Sequence, residues 1–353
     1  MIENQYDLTH WPEGQLEYMG HCPMCGSKDR ELLHDGLIDN LFFCAPGKWA
    51  LHKCQKCASA YVDPRPTSDS MYLAYRNYYT HDASSESVPC KLSLPQTISR
   101  SLGNGYRNWR YGTNLQPSSF LGVAVAYMLP KLKRTIDVQF RCLPATSTRK
   151  RVLDVGFGGG VFLNYALSVG WDVAGADIDP VVIKNAKARG IDARQGSIEA
   201  FADDVESFDY ITISHVIEHV YDPVETLRMA YKLLKPGGLL WVDTPNIDSY
   251  GYAHYGENWL GVDAPRHLVI FGWDTMIYAL KEAGFHDWSH VGRAHAALTV
   301  FPLSEQVLRH SQTGTDPFSE PPAKPTLLAR WSAIKSKIFK RHAEFITVIA
   351  VKP

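Results

Sequence analysis

The ten residues 151–160, RVLDVGFGGG, constrain the fold of this chain more than any other stretch. Residues 151–155 form a short apolar run, the right length for one buried strand. The run enters a turn with glycine at 156, 158, 159 and 160, and a helical pattern follows over 161–169. Residues 171–177, WDVAGAD, read as a second buried strand that ends on an acid. Strand, glycine turn, helix and strand open a doubly wound, mostly parallel α/β sheet, a fold that takes its ligand beyond the carboxyl ends of its strands. A dinucleotide site opens the same way, but G-x-G-x-x-G counted from Gly156 needs glycine at 161, where Val161 stands. Here an acid, Asp154, precedes glycines at 156, 158 and 160, which let a ligand lie close against bare backbone. Asp177, at the tip of the second strand, is placed to accept both hydroxyls of a ribose.

The alternation continues downstream. A third strand is expected near 191–196 and a fourth over 208–215, followed by HVIEHVYDP (215–223) and a helix reaching Tyr231. Lys235-Pro236-Gly237-Gly238 turns into a fifth strand, 239–243, that ends in Thr244-Pro245-Asn246. A helix over 274–283 stops at Gly284, and EFITVIAVK (344–352) fits a closing strand. With D-x-G-x-G-x-G, H-x-x-E-H-x-x-D-P, L-K-P-G-G and T-P-N in this order, residues 150–353 resemble class I S-adenosylmethionine-dependent methyltransferases. The resemblance implies an antiparallel last strand. It also implies cofactor contacts from Asp154, Gly156, Phe157, Gly158, Gly160, Asp177, Ile178, Ser197, Ile198 and His215. Ser197 stands where many relatives carry an acid.

Two Cys-x-x-Cys elements, Cys22-Pro-Met-Cys25 and Cys54-Gln-Lys-Cys57, mark the N-terminal part. Each spacing is that of a tight turn presenting two thiolates, and two such turns can enclose a tetrahedral Zn²⁺. A redox role is disfavoured, because neither pair opens a helix after a strand. Cys44, His21, His34 and His52 are alternative ligands, while Cys90 and Cys142 have no partner at ligand spacing. The ribbon, the Pro-Arg-Pro at 64–66, the Tyr-rich 68–79 and the W…P-R-H-L…F stretch (259–271) resemble a methyltransferase subgroup of bacterial polysaccharide and secondary-metabolite pathways. The expected division is a zinc ribbon over 1–66, a helical linker or lid over 67–148 and the catalytic domain over 149–353.

The stretch between ribbon and catalytic domain is less informative. YRNWRY (106–111) could stack on bases or sugars, or simply pack. Residues 120–140 have helical apolar spacing with Lys131, Lys133 and Arg134 along them. A helix lying on a membrane surface would look like this, though packing against the next domain is the more economical reading. Lys plus Arg number 36 against 37 Asp plus Glu, so no global basic field exists to hold nucleic acid. No secretory signal or membrane-spanning run is apparent, and a cytoplasmic protein is expected.

Methyl transfer from a sulfonium needs alignment of donor and acceptor, and a base if the acceptor is a hydroxyl. His267 is the first candidate for that base, in a loop rich in Tyr, Trp and Gly that could close over substrate. Arg266 beside it could hold a phosphate or carboxylate. Glu218 and His219 are the rival pair. In ubiquinone-pathway O-methyltransferases the similar S-E-x-L-E-H stretch is associated with a divalent cation, and here His215 replaces its first acid. The expected function is methylation of a small molecule, a hydroxyl of a sugar or related metabolite. An RNA base methyltransferase that uses its ribbon for RNA contact is the second reading, and a non-catalytic zinc-bearing scaffold the third.

Overall fold

The computed structural model describes residues 10–76, 93–146, 148–313 and 323–353. Its contacts group the chain into two compact units. The first comprises Met1–Tyr78, Ser214–Tyr231 and Val242–Ala350, and the second Tyr79–Ile213, Lys232–Trp241 and Val351–Pro353. These lines differ from the sequence division at 66 and 148.

The first unit begins with short strands β1 (Leu16–Glu17), β2 (Arg30–Leu37), β3 (Trp49–Cys54), β4 (Ala60–Val62) and β5 (Arg65–Pro66). β2, β3 and β4 form an antiparallel meander, and β1 pairs with β5. The helix expected over 68–79 is only a 3₁₀ turn, Met71–Tyr75, and residues 77–79 lie outside the described residues.

The second unit opens with helices α1 (Leu94–Tyr111), α2 (Leu121–Met128) and α3 (Pro130–Gln139). Ser93 and Gln96 form a capping box at the start of α1, and Gly112 ends it at φ 74°. The single helical pattern over 120–140 is broken in two at Leu129–Pro130. Proline excludes its predecessor from helical backbone, and Leu129 sits at φ −114°, ψ 81°. Then come β6 (Arg151–Val155), α4 (Val161–Ser168), β7 (Asp172–Asp177), α5 (Pro180–Ala188), β8 (Asp192–Gln195) and β9 (Phe208–Ser214). β6 pairs in parallel with β7 and β9, and β7 with β8. Buried residues at nearly every position of β6, β7 and β9 fit strands covered on both faces, whereas the edge strand β8 is largely exposed.

α6 (Pro223–Leu233), β10 (Leu234–Pro245), α7 (Tyr250–Tyr255), β11 (Val269–Ile270), α8 (Trp273–Glu282), β12 (Asp287–His290), α9 (Ala297–Thr313), α10 (Leu327–Ile338) and β13 (Phe345–Val351) complete the described chain. The large sheet has seven strands in the order β12-β13-β10-β9-β6-β7-β8. The Asn246 amide donates to the Glu344 carbonyl while the Lys352 amide donates to Gly238, so β13 runs antiparallel to β10. This is the mostly parallel, doubly wound sheet with an antiparallel last strand that the sequence implied.

One pairing was not legible. β11, directly after the P-R-H residues, is the edge strand of the N-terminal meander, giving the order β11-β4-β3-β2. The core of this unit mixes the two stretches, with Trp11, Trp49, Leu51 and Val62 packed in one cluster with Trp259, Val262, Ala264 and Ile270.

Candidate active site and metal centre

The four cysteines are brought together by two turns of the same construction. Gly26 N–H donates to the Cys22 carbonyl at 2.9 Å, as Ala58 N–H does to Cys54 at 3.0 Å. Backbone amides of Met24 and Lys56 approach the first thiol of each turn at 3.4 Å. Gly26 takes φ 70° without strain, and Ala58 takes φ 61° at the matching position of the second turn. All four sulfurs lie within 4.8 Å of one another, with Cys22–Cys57 and Cys25–Cys54 each at 3.6 Å. A tetrahedral site with Zn–S bonds of about 2.3 Å has edges of about 3.8 Å, so the thiols fit that ion. Of the alternative ligands, Cys44 is turned to Asp39 and the Ala74 carbonyl, and His34 to the Tyr252 hydroxyl. Cys90 lies outside the described residues.

In the second unit the glycine turn follows β6. Gly156, Gly158 and Gly160 have φ of 67°, 49° and 75°, backbone that a side-chain-bearing residue rarely adopts. A Cβ built on Gly158 meets nothing within 4 Å, so open space lies over the turn. The Gly158 amide donates to Asp177 at 2.9 Å, tying the turn to the tip of β7. The other Asp177 oxygen accepts from the Asp179 amide at 3.0 Å. Phe157 is buried over Gly175, where a Cβ would come within 2.5 Å of its ring. Ile178 is exposed beside the acid. Ser197 opens the turn 198–201, whereas the Ile198 side chain is wholly buried and leaves only its backbone to meet a ligand.

Asp154 is completely buried. One carboxylate oxygen accepts from Thr212 Oγ1 at 2.8 Å and from Arg141, while the other has no partner. Burial raises its pKa, opposed by the Arg141 charge. An orphaned carboxylate oxygen beside a bare glycine turn suits a ligand with a cationic amine and a ribose, which S-adenosylmethionine has. Sequence reasoning missed Arg141, thirteen positions upstream of Asp154 and in no motif.

The other set belongs to the first unit. After β9, His215 takes the left-handed conformation at φ 55°. Its ring nitrogens lie 3.5 Å from Glu218 Oε1 and from Asp243 Oδ2. Desolvation disfavours its charged form, but the two carboxylates outweigh that and raise its pKa. Glu218 is wholly buried and accepts from Thr244 Oγ1 at 3.0 Å. Burial opposes its ionisation, yet His215 and the charges of His219 and His267 push its pKa down to about 2. His219 is pulled down to about 4, by burial and then by the His267 charge.

The two rings lie 4.7 Å apart, centroid to centroid. His267 Nδ1 meets the Gly261 carbonyl at 2.8 Å, and His219 Nδ1 meets the Arg266 carbonyl at 3.0 Å. A carbonyl only accepts, so each Nδ1 carries its ring proton and each neutral Nε2 keeps a lone pair. Tyr75, in the Tyr-rich stretch 68–79 but given no role by sequence reasoning, places its hydroxyl 3.1 Å from His219 Nδ1. Ligand atoms of Glu218, His219 and His267 lie within 4.8 Å of one another, so this trio could hold a divalent cation, and His215 is not part of it.

The phosphate-binding role expected of Arg266 fails. Arg266 is wholly buried, bonded to both Asp39 oxygens at 2.5 and 2.8 Å and to Asp263 at 2.5 Å, and capped by the Ala74 carbonyl. Its work is to tie the loop after β2 to the residues around His267. The loop itself is packed rather than free to close, since Trp259, Val262, Ala264 and Leu268 are all buried.

Residues 127–290 match the family model described as a methyltransferase domain. The ubiquinone biosynthesis O-methyltransferase of Ruegeria pomeroyi is 36% identical over 145 residues, 39% of this chain and 52% of that protein. Its counterpart in Xanthomonas oryzae pv. oryzae is 39% identical over 110 residues, 29% of this chain and 46% of that protein. The chain thus spans about half the length of these curated relatives. A SAM-dependent methyltransferase of Archaeoglobus fulgidus, of known structure, is 18% identical and covers 65% of this chain and 99% of its own, at a TM-score of 0.42. With the glycine turn, the seven-stranded sheet and the relatives in agreement, residues 127–290 form an S-adenosylmethionine-dependent methyltransferase domain.

Proposed function

We propose that the whole chain methylates a hydroxyl of a small molecule, a sugar or related metabolite, with His267 as the base. The observation that carries this reading is the pair of imidazoles whose Nδ1 protons are committed to carbonyls, leaving lone pairs on Nε2 beside a buried carboxylate. His219, with its lowered pKa, stays neutral near pH 7 and would orient the acceptor, while His267, on the other side of the pair, would accept the proton. Glu218 stays ionised and offsets the imidazolium that forms.

When bound, S-adenosylmethionine would supply the methyl group and be released as S-adenosylhomocysteine, while His267 would take the proton given up by the acceptor oxygen. Asp177 would take the ribose hydroxyls, and the free oxygen of Asp154 would face the amino-acid end. Gly156, Gly158 and Gly160 would admit the cofactor, Ile178 and the backbone at Ser197 and Ile198 would border its base, and His215 is the remaining contact that the resemblance implies. Cys22, Cys25, Cys54 and Cys57 would hold one structural zinc. The relatives' name, a hydroxyl-methylating one, supports oxygen as the acceptor atom. No helix among the described residues is long and apolar enough to cross a membrane, in keeping with the cytoplasmic location proposed here.

A methyl-transfer screen against nucleotide sugars, phenols and RNA, read by S-adenosylhomocysteine release, tests the proposal. Release with a sugar or phenol hydroxyl is the expected result. Release with RNA alone would transfer the assignment to base methylation.

A further inference from the structure

Helices α1 and α2 are packed in the reverse of the usual order for a water-exposed pair. Their contact is made by small residues. A Cβ on Gly105 would lie 1.7 Å from the Ser119 carbonyl oxygen, and one on Gly122 would lie 1.9 Å from that of Leu102. Gly122 and Ala126 are the buried residues of α2. Its large side chains point outward instead, with Phe120 79%, Leu121 69% and Met128 79% exposed, and Tyr127 and Leu129 exposed beside them. Leu121, Ala124 and Met128 recur at helical spacing, so the outward face is one continuous apolar stripe.

Small residues between helices and large apolar ones outside is how helices pack when their surroundings are lipid rather than water. Exposed Trp109 stands 6.0 Å from Tyr127, the amphipathic pair that favours a bilayer interface. The charge around the stripe has one sign. Residues 93–140 carry Arg100, Arg107, Arg110, Lys131, Lys133 and Arg134, against a single acid, Asp137. That acid is already bonded to Lys133, Tyr106 and Tyr111. The whole chain, by contrast, is balanced at 36 basic to 37 acidic side chains.

The geometry points to a docking face for an anionic lipid bilayer, with the α2 stripe entering the headgroup boundary and the flanking cations meeting lipid phosphates. A second copy of this chain is the poorer occupant, because self-docking would bring two sets of these cations together with no acids to match them.

Flotation of the whole 353-residue chain with phosphatidylcholine vesicles, with and without phosphatidylglycerol, tests this. The wild type is expected to float with the mixed vesicles at low salt, less at high salt, and little with phosphatidylcholine alone. Phe120→Ser/Leu121→Ser/Met128→Ser should lower partition roughly tenfold or more, with an unchanged melting temperature because the three side chains are exposed. Lys131→Glu/Arg134→Glu should lower it on the mixed vesicles. Three results overturn the proposal: a wild type that ignores anionic vesicles, a triple-serine variant that floats as the wild type does, or a wild-type dimer in sedimentation that the triple-serine variant abolishes.

Discussion

The glycine turn after β6 and the histidine cluster after β9 both begin where a parallel strand ends, yet they are built from opposite materials. The turn offers bare backbone, with three glycines at positive φ and open space over Gly158. The cluster offers side chains, Glu218, His219 and His267, held by carbonyls and by a wholly buried arginine. One is local, its glycines and acids all drawn from 154–177 with support from Arg141 and Thr212. The other needs Asp39, Tyr75, Glu218 and Arg266, and its last segment is paired through β11 to the N-terminal meander. A local site can survive damage elsewhere in the chain. An assembled one inherits the stability of every piece.

Removing the zinc proposed for the four cysteines is the harshest way to break that contrast. Structural zinc contributes on the order of 10 kcal/mol or more to small modules, so chelation or Cys54→Ser should release the meander and β11 with it. Hydrogen exchange should then rise over β2–β4 and at Val269–Ile270 while β6–β8 keep their protection. Equal loss of protection in both places would mean that the two regions are one cooperative element.

The second test sets one substitution against another. Gly158→Asp puts a carboxylate into the open space over the turn and should abolish S-adenosylmethionine binding in calorimetry, with the histidine region intact. His267→Ala should leave that binding unchanged and cut turnover by about 10²–10⁴. If His219→Ala alone is slow and His267→Ala is near normal, the base is His219. If either histidine variant is slow and added Mg²⁺ or Mn²⁺ shifts the wild type's rate, the trio acts through a cation instead.

These two sites also differ in how far they could be read from sequence. The glycine turn and the four cysteines were legible because each is a run of neighbours whose spacing dictates its backbone. The ends of β6 to β9 were legible for the same reason, whereas β10 runs from Leu234 through the Lys-Pro-Gly-Gly expected as a turn, well ahead of the strand start expected at 239. Arg266 was misread, since the sequence shows an arginine beside a histidine but not that Asp39, 227 positions away, neutralises it in the core. β11 was invisible because two residues carry no periodicity. Arg141 lies in no motif, Tyr75 sits in the Tyr-rich 68–79 with no role read for it, and tertiary packing alone places both.

The arginine gives the third test. Burial disfavours charge at Asp39, yet Arg266 holds its pKa well below the usual carboxylate range, so the pair is ionised in the core. Arg266→Met keeps the bulk and strands Asp39 and Asp263, which should cost about 3–5 kcal/mol in urea unfolding. Adding Asp39→Asn should recover part of that loss. A single variant as stable as the wild type would show that Arg266 does not support the cluster.

The smallest effect comes from Glu344, just before β13. Its carboxylate accepts from the Gly251 amide and from Trp259 Nε1, both at 2.9 Å, and so fastens α7 and the tryptophan loop to the last strand. Burial raises its pKa from 4.5 to about 7 in spite of those donors. A carboxyl whose folded pKa is raised stabilises the fold fully below its unfolded value, and that contribution is lost as pH rises through the folded one. Stability should therefore decline between about pH 4.5 and 7, by up to about 3 kcal/mol from this group. Glu344→Gln removes the titration but turns an amide N–H₂ toward a donor, so the variant should be less stable at low pH and nearly level across the window. Melting temperatures taken from pH 5 to pH 8 in both proteins decide it. If the two slopes are the same, the decline belongs to other groups and Glu344 is ionised throughout.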